Sequence, residues 1–319
     1  MQHAEIIVNP IAGQGAPMRV AEDARRHLEA RGWEVGLRST SATGHATELA
    51  KEGLDGADLI VVVGGDGTVR EVVAGLDGAR VPVGFVPMGN ANVLARELKI
   101  PQRPEHSIPL LTTGEPLAID VGRADGWIFL SMVSVGFDGW TIGGLDWLRG
   151  TRLGAWIYRH GASSSLFVLA GLPPLLLRLI PNRVAIEADG KTLPRRYPSA
   201  VFSNAELYGL GWAMTPGADI RDGRLAHQAN RRSAPWFVIW TIAAAILHRR
   251  VPAMVAEYGA AAAYRVTAER PFRWQIDGDS MPPRRELEIE LLPRHALIIA
   301  PPQTDDFVPR RAAADVDSP

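Results

Sequence analysis

A chain of 319 residues with 46% hydrophobic and 22% charged residues, and 34 basic against 35 acidic side chains, has the make-up of a globular protein. The absence of cysteine excludes a disulfide framework and any Cys-ligated zinc or iron–sulfur site, and a net charge of −1 argues against a nucleic-acid partner. The length exceeds the ~150 residues of a typical domain, so two domains are expected.

The first apolar run, Ile6-Ile7-Val8, comes without a basic stretch and a long apolar segment before it, so a signal peptide is not expected and a cytoplasmic location is. Ala16 to Arg31 carries Val20, Ala24 and Leu28 at four-residue spacing and predicts a helix. Trp33 to Leu37 predicts a strand and Thr47 to Gly53 a helix. Leu59 to Val63 is a continuous apolar run, as in a strand buried on both faces, and Val69 to Leu76 predicts the helix after it. Val83 to Val86 and Ala91 to Leu98 repeat the alternation. Strand and helix in turn imply a parallel, doubly wound sheet. From Val121 the pattern changes to short strands, at Trp127 to Val133, Val184 to Ala188, Ser199 to Ser203, Tyr264 to Ala268 and Leu287 to Leu291. The expected organisation is an α/β domain over 1–120, a β-rich domain over 121–300 and a disordered polar tail over 303–319.

Three loops follow strand ends in the first half: Asn9 to Gly15, Gly64 to Thr68, and Pro87 to Asn92. In an open parallel sheet these ends line the ligand crevice. Glycines let the backbone approach a phosphate, and a helix N-terminus directed at the loop favours an anion. Asp66 sits in the middle loop, where its carboxylate would repel a bare phosphate unless a divalent cation lay between them. The plainer reading of this loop is a glycine turn with Asp66 as an N-cap. Neither a Walker A sequence nor a G-x-G-x-x-G after the first strand is present.

The ordered set Asn9-Pro10-Ile11-Ala12-Gly13, Gly64-Gly65-Asp66-Gly67-Thr68 and Pro87 to Val93 resembles the diacylglycerol kinase and sphingosine kinase family. The resemblance continues through Ser134-Val135-Gly136-Phe137-Asp138, Asp219 to Leu225, and Gln275-Ile276-Asp277-Gly278-Asp279, so it spans roughly residues 4 to 300. Gly-Gly-Asp-Gly by itself is shared with NAD kinases and phosphofructokinases; the ordered set is more specific.

What the resemblance implies is a Rossmann-like doubly wound ATP domain followed by a β-sandwich-like domain, with the active site in the cleft between them. It implies an ATP- and Mg2+-dependent kinase acting on a hydroxyl of a lipid such as diacylglycerol or a sphingoid base. ATP would be held by Asn9, Thr40, Gly64, Gly65, Asp66, Gly67, Thr68, Val69, Arg70 and Asn90. Asp277 would accept the hydroxyl proton and Asp120 would support it. Asp219, Asp222 and Arg224 would bind a structural magnesium ion, partly through backbone carbonyls. Asn90 stands where the family has threonine, and Val93 where it usually has aspartate. The expected partner is a lipid at a membrane surface, reached by peripheral contact, with a homodimer left open.

Plainer roles stand beside these. Asp277-Gly278 and Asp222-Gly223 have the chemistry of two-residue turns, and Asp120 that of a strand cap. His45 and His160 have no partner at ligand spacing. Two other enzyme and binding readings remain: an NAD kinase-like phosphotransferase, and a non-catalytic lipid-binding protein on the same fold. Leu166 to Ile180 and Ala234 to Leu247 are apolar but too short or interrupted to span a bilayer. Trp236, Phe237, Trp240 and Ile246, between Arg231-Arg232 and His248-Arg249-Arg250, have the composition of an interfacial segment, as do Trp140, Trp147, Trp156 and Phe167. The alternative for residues 234–247 is a buried helix.

Overall fold

Strand and helix alternate through the first half of the computed structural model, which describes residues 1–13, 16–54, 56–137, 139, 141–144, 151, 182–209 and 211–302. The elements are β1 (His3–Val8), α1 (Pro17–Glu29), β2 (Glu34–Ser39), α2 (His45–Gly53), β3 (Leu59–Gly64), α3 (Asp66–Leu76), β4 (Val83–Pro87) and α4 (Val93–Glu97), each where periodicity predicts it. A further helix, α5 (Pro104–Thr113), escapes prediction because Pro109 lies inside it. The chain continues with β5 (Glu115–Ala124), β6 (Trp127–Phe129), β7 (Met132–Val135), β8 (Val184–Ala188), β9 (Lys191–Tyr197) and β10 (Ser199–Ser203). Then come β11 (Leu207–Tyr208), β12 (Trp212–Ala213), β13 (Leu225–Asn230), α6 (Pro235–Ile246), β14 (Ala256–Ala261), β15 (Ala263–Ile276) and β16 (Asp279–Ala300).

Two units result. The first takes residues up to Val121, the short segment Ile220–Gly223 and the chain from Leu292; the second takes Gly122–Asp219 and Arg224–Leu291. The division near residue 120 that the change of pattern suggests therefore leaves out two returning segments. Hydrogen bonds bring them back: Ile298 at the end of β16 registers with Val83, and Ile220 accepts the Asp120 amide.

In the first unit the strands run in the order β2, β1, β3, β4, all parallel. Leu59 to Val63 is wholly buried, as its unbroken apolar run requires. Val20, Ala24 and Leu28 pack onto Ile6, Val8, Val61 and Val63, so one stripe of α1 covers one face of this sheet. Each large aliphatic side chain buried there stabilises by ~2 kcal/mol.

The second unit is antiparallel, in the order β14, β13, β10, β7, β15. The first part of β15 pairs with β8, which pairs with β9. Trp274, Phe202, Tyr264 and Phe129 form the centre of its core. Where one strand was expected over Trp127 to Val133 there are two, because Leu130 and Ser131 turn their amides to a side chain instead of a ladder.

A buried His227 on β13 makes the second unit sensitive to acid. Its Nδ1 lies 2.9 Å from the Tyr264 hydroxyl, which itself donates to the Leu225 carbonyl, and burial pushes its pKa down to about 4. The unfolded chain, with histidine near 6.5, takes up this proton first as pH falls. Stability is therefore complete above 6.5 and lost progressively towards 4. Urea unfolding should show the parent losing ~2 kcal/mol more than His227→Gln between pH 7.5 and 5. Equal losses in the two proteins would mean that His227 is already charged in the fold.

Candidate active site

The three glycine loops meet at the carboxyl ends of β1, β3 and β4. Backbone bonds set their spacing: Asn9 N–H donates to Val63, Met88 N–H to Gly64, and Thr40 N–H to Val8. A Cβ on Gly13 would lie 2.1 Å from the Met88 carbonyl oxygen, and one on Gly89 2.7 Å from the Gly65 Cα. These glycines are therefore demanded by contact between loops. Gly64 is similarly crowded, by the buried Thr68 whose hydroxyl the Asn9 amide approaches at 3.4 Å.

Gly67 is different. It stands in the first turn of α3, exposed, with ordinary backbone angles and nothing within 4 Å of where a Cβ would be. Glycine costs a helix ~1 kcal/mol relative to alanine, and no contact among the described residues requires it here. Open backbone at a helix start is the arrangement that lets an anion come close.

Asp66 does not cap its own helix. Gly65 holds the N-cap position of α3, and the Asp66 carboxylate crosses to the next loop, accepting from Val93 N at 3.0 Å and Leu94 N at 3.1 Å. It thus satisfies the first amides of α4 and ties the middle loop to the third. The reading of Asp66 as a simple cap is corrected in this respect: the helix it caps is not the one it begins. Val93, apolar and buried, takes part through its amide.

One contributor, Glu71, escaped the sequence. Glu71 on α3 accepts from Gly44 N at 2.9 Å and Ala46 N at 3.2 Å, and so fixes the loop that follows Thr40. The signal was a missing one: the N-cap of α2 is Gly44, with φ 86° and no side chain to cap the helix. Asn92, buried in the left-handed region at φ 45°, donates to the Gly89 carbonyl at 2.9 Å and to Gln102 at 3.2 Å. Its Oδ1 is buried without a partner among the described residues. Asn90 is exposed on the same loop, Val69 is buried in α3, and Arg70 is half-buried beside it.

The remaining predicted residues fall into two places. Within the first unit, Asp120 is 1% exposed, and its carboxylate accepts from Gly223 N and Arg294 N, both at 2.8 Å. It holds the Asp222-Gly223 turn by more than a strand cap. Within the second unit, Asp277 and Gly278, with φ of 47° and 93°, form the two-residue turn between β15 and β16, in which Ile276 registers with Asp279. The Asp277 carboxylate is turned onto the β6–β7 connection and accepts from Leu130 N at 2.8 Å and from Ser131 N and Met132 N at 2.9 Å. Turn chemistry and a precisely aimed carboxylate thus coexist. Asp219 is half-buried, while Arg224 is exposed and lies 4.0 Å from Asp189. Among the described residues no three His, Cys, Asp or Glu side chains gather as a metal-holding group. His45 bonds Ser41 locally, at 3.0 Å. Asp138, Trp140, Trp147, Trp156, His160, Phe167, the stretch 166–180 and the tail 303–319 lie outside the described residues.

Comparison with known proteins gives this arrangement its class. Residues 3–124 match the family model of the diacylglycerol kinase catalytic domain. A diacylglycerol kinase of Mycobacterium tuberculosis is 30% identical over 232 residues, covering 69% of this chain and 70% of the relative. One from Bacillus subtilis is 29% identical over 234 residues, covering 70% and 72%. A crystal structure from Bacillus anthracis that bears the same kinase name superposes with a TM-score of 0.74 at 24% identity, over 94% of this chain and 98% of that one. The mixed α/β fold and the looped sheet therefore belong to a lipid kinase, an enzyme of the phosphotransferase class. The chain is a member of the diacylglycerol kinase family.

Proposed function

We propose that this protein transfers the γ-phosphoryl group of ATP, with magnesium, to a hydroxyl of a lipid such as diacylglycerol or a sphingoid base. The observation that carries this reading is Gly67, a glycine that no contact among the described residues requires, at the open start of α3. In this reading Asn9, Thr40, Gly64 to Arg70 and Asn90 hold the nucleotide. The residues fit a polyphosphate: three loops in contact leave exposed backbone where a side chain would otherwise stand. Bound ATP supplies the phosphoryl group, and magnesium offsets the phosphate charge that Asp66 would otherwise repel.

Asp277 is the proposed proton acceptor. A hydroxyl does not ionise at neutral pH, so a fixed carboxylate that accepts its proton as the phosphoryl group transfers lowers the barrier. Three backbone donors aim this carboxylate and hold its turn. Asp120 acts as a positioning residue, holding the turn that carries Asp222 and Gly223. A structural magnesium ion at Asp219, Asp222 and Arg224 would draw on backbone carbonyls, since no trio of acidic side chains gathers among the described residues.

Gly67→Val tests the nucleotide assignment. Its backbone angles suit any residue and its surroundings are open, so thermal stability should be unchanged or slightly higher. Isothermal titration with Mg-ATP should show affinity weaker by ~10-fold or more, because a branched side chain occupies the space the phosphates need. Undiminished binding would remove α3 from the nucleotide site. A parent protein that binds no Mg-ATP at all would support the non-catalytic lipid-binding alternative.

A further inference from the structure

α6 buries one side and exposes the other. Thr241, Ala244 and Ala245 are buried, and Phe237 packs with Val251, Val255 and Tyr258. On the other side Trp236, Ile239, Trp240, Ile246 and Leu247 are between 44% and 67% exposed, at the three- and four-residue spacing of a single stripe. Met254, shortly after the helix, is also exposed. These make six of the ten exposed large apolar side chains among the described residues, within 19 positions. Such a cluster on a protein surface marks a contact. The expectation that this segment is a buried helix therefore holds for only one of its faces.

Charge identifies what meets that face. No Asp or Glu occurs between Arg224 and Glu257, in a chain whose net charge is −1. Within that interval Arg232, Arg249 and Arg250 are exposed. The Arg232 guanidinium lies over the Phe237 ring and the Arg250 guanidinium over that of Tyr258, so both charges are held at the ends of the helix. Glu257 pairs with Arg231 at 3.2 Å, and Glu206 stands 3.8 Å from His248. Indole rings and aliphatic side chains on one face, with arginines at both ends and no acidic residue between them in the sequence, match the boundary of an anionic bilayer. The helix has 12 residues, and no helix of the described residues is long and apolar enough to cross a membrane.

We propose that α6 is a membrane-docking helix that lies flat in the interface of an anionic bilayer, with Trp236 and Trp240 among the acyl chains and Arg249 and Arg250 at the headgroups. The inference deepens the lipid-kinase reading by naming the surface at which its substrate is met, and it rests on that reading for its biological sense only.

Sedimentation with phosphatidylglycerol–phosphatidylcholine vesicles tests it, with pure phosphatidylcholine vesicles for comparison. The full chain should co-sediment with the anionic vesicles and far less with the neutral ones, and the difference should fade at high salt. Arg249→Ala with Arg250→Ala should lower partitioning to anionic vesicles by about 30-fold, the effect of two charges near such a surface. Trp236→Ser with Trp240→Ser should lower it on both vesicle types by ~10-fold or more. All four side chains are exposed, and melting curves check that each variant folds. A parent that sediments with neither vesicle, or a tryptophan variant that sediments like the parent, would overturn the proposal. So would a parent dimer that the tryptophan variant converts to monomer with vesicle binding unchanged, since the face would then meet a second copy of the chain. Binding is read without ATP, so its failure and the failure of the kinase reading are separate results.

Discussion

Replacing Asp277 by asparagine is expected to lower turnover by ~100-fold or more while Mg-ATP affinity changes little, because the variant keeps the shape of the side chain and loses the carboxylate proposed as the base. The structure adds a second effect. The Asp277 carboxylate accepts three backbone amides, from Leu130, Ser131 and Met132. An asparagine must present its NH2 to part of that set, which costs ~1–3 kcal/mol of stability. Melting curves and ATP titration of the same preparation separate the two effects. Turnover is then measured with saturating ATP and a dispersed lipid substrate below the variant's melting range. Retention of more than about a tenth of the parent rate would place the base elsewhere, with Asp66 the next candidate. Asp279→Asn should be milder, because Asp279 lies two positions past the proposed base, where it registers with Ile276 at the mouth of the turn.

Asp66→Ala should abolish turnover. From the sequence, an aspartate on a loop looks dispensable for stability, but here its carboxylate caps α4 through the amides of Val93 and Leu94. Its loss should therefore also cost ~1–2 kcal/mol of stability, as removal of a helix cap does. Asp66→Asn distinguishes the two roles. The amide oxygen can still accept from α4, so most of the stability should return, whereas the charge proposed to face magnesium does not. Turnover of Asp66→Asn should stay at least ~100-fold below the parent, the scale of a lost electrostatic contact in a transition state. If Asp66→Asn melts like the parent and turns over like it too, the carboxylate serves only as the cap of α4, and the metal-linked assignment falls.

Both variants illustrate what a sequence can carry. Leu59 to Val63 and the glycine loop after it could be placed on a buried strand and a helix start because burial on two faces demands an unbroken apolar run. Val20, Ala24 and Leu28 likewise announced the buried stripe of α1. Asp277-Gly278 announced a turn, since both positions need φ above zero and this residue pair tolerates that. These are local facts, decided by neighbours within a few residues in the chain.

The partners of the acidic side chains were decided only by tertiary structure. Asp66 reaches an amide 27 residues away, Asp120 one 103 and another 174 residues away, and Asp277 three that are 145 to 147 residues away. No spacing rule encodes such distances, because a carboxylate pairs with whatever amide the fold leaves unsatisfied near it. The same holds for the returning segments 220–223 and 292–302 of the first unit, and for Glu71, whose role depends on an uncapped helix lying beside it. It holds also for α6, whose composition is apolar but for Thr241. Periodicity could not say which side of such a helix would be covered; packing against Val251, Val255 and Tyr258 chose one face and left the tryptophans on the other.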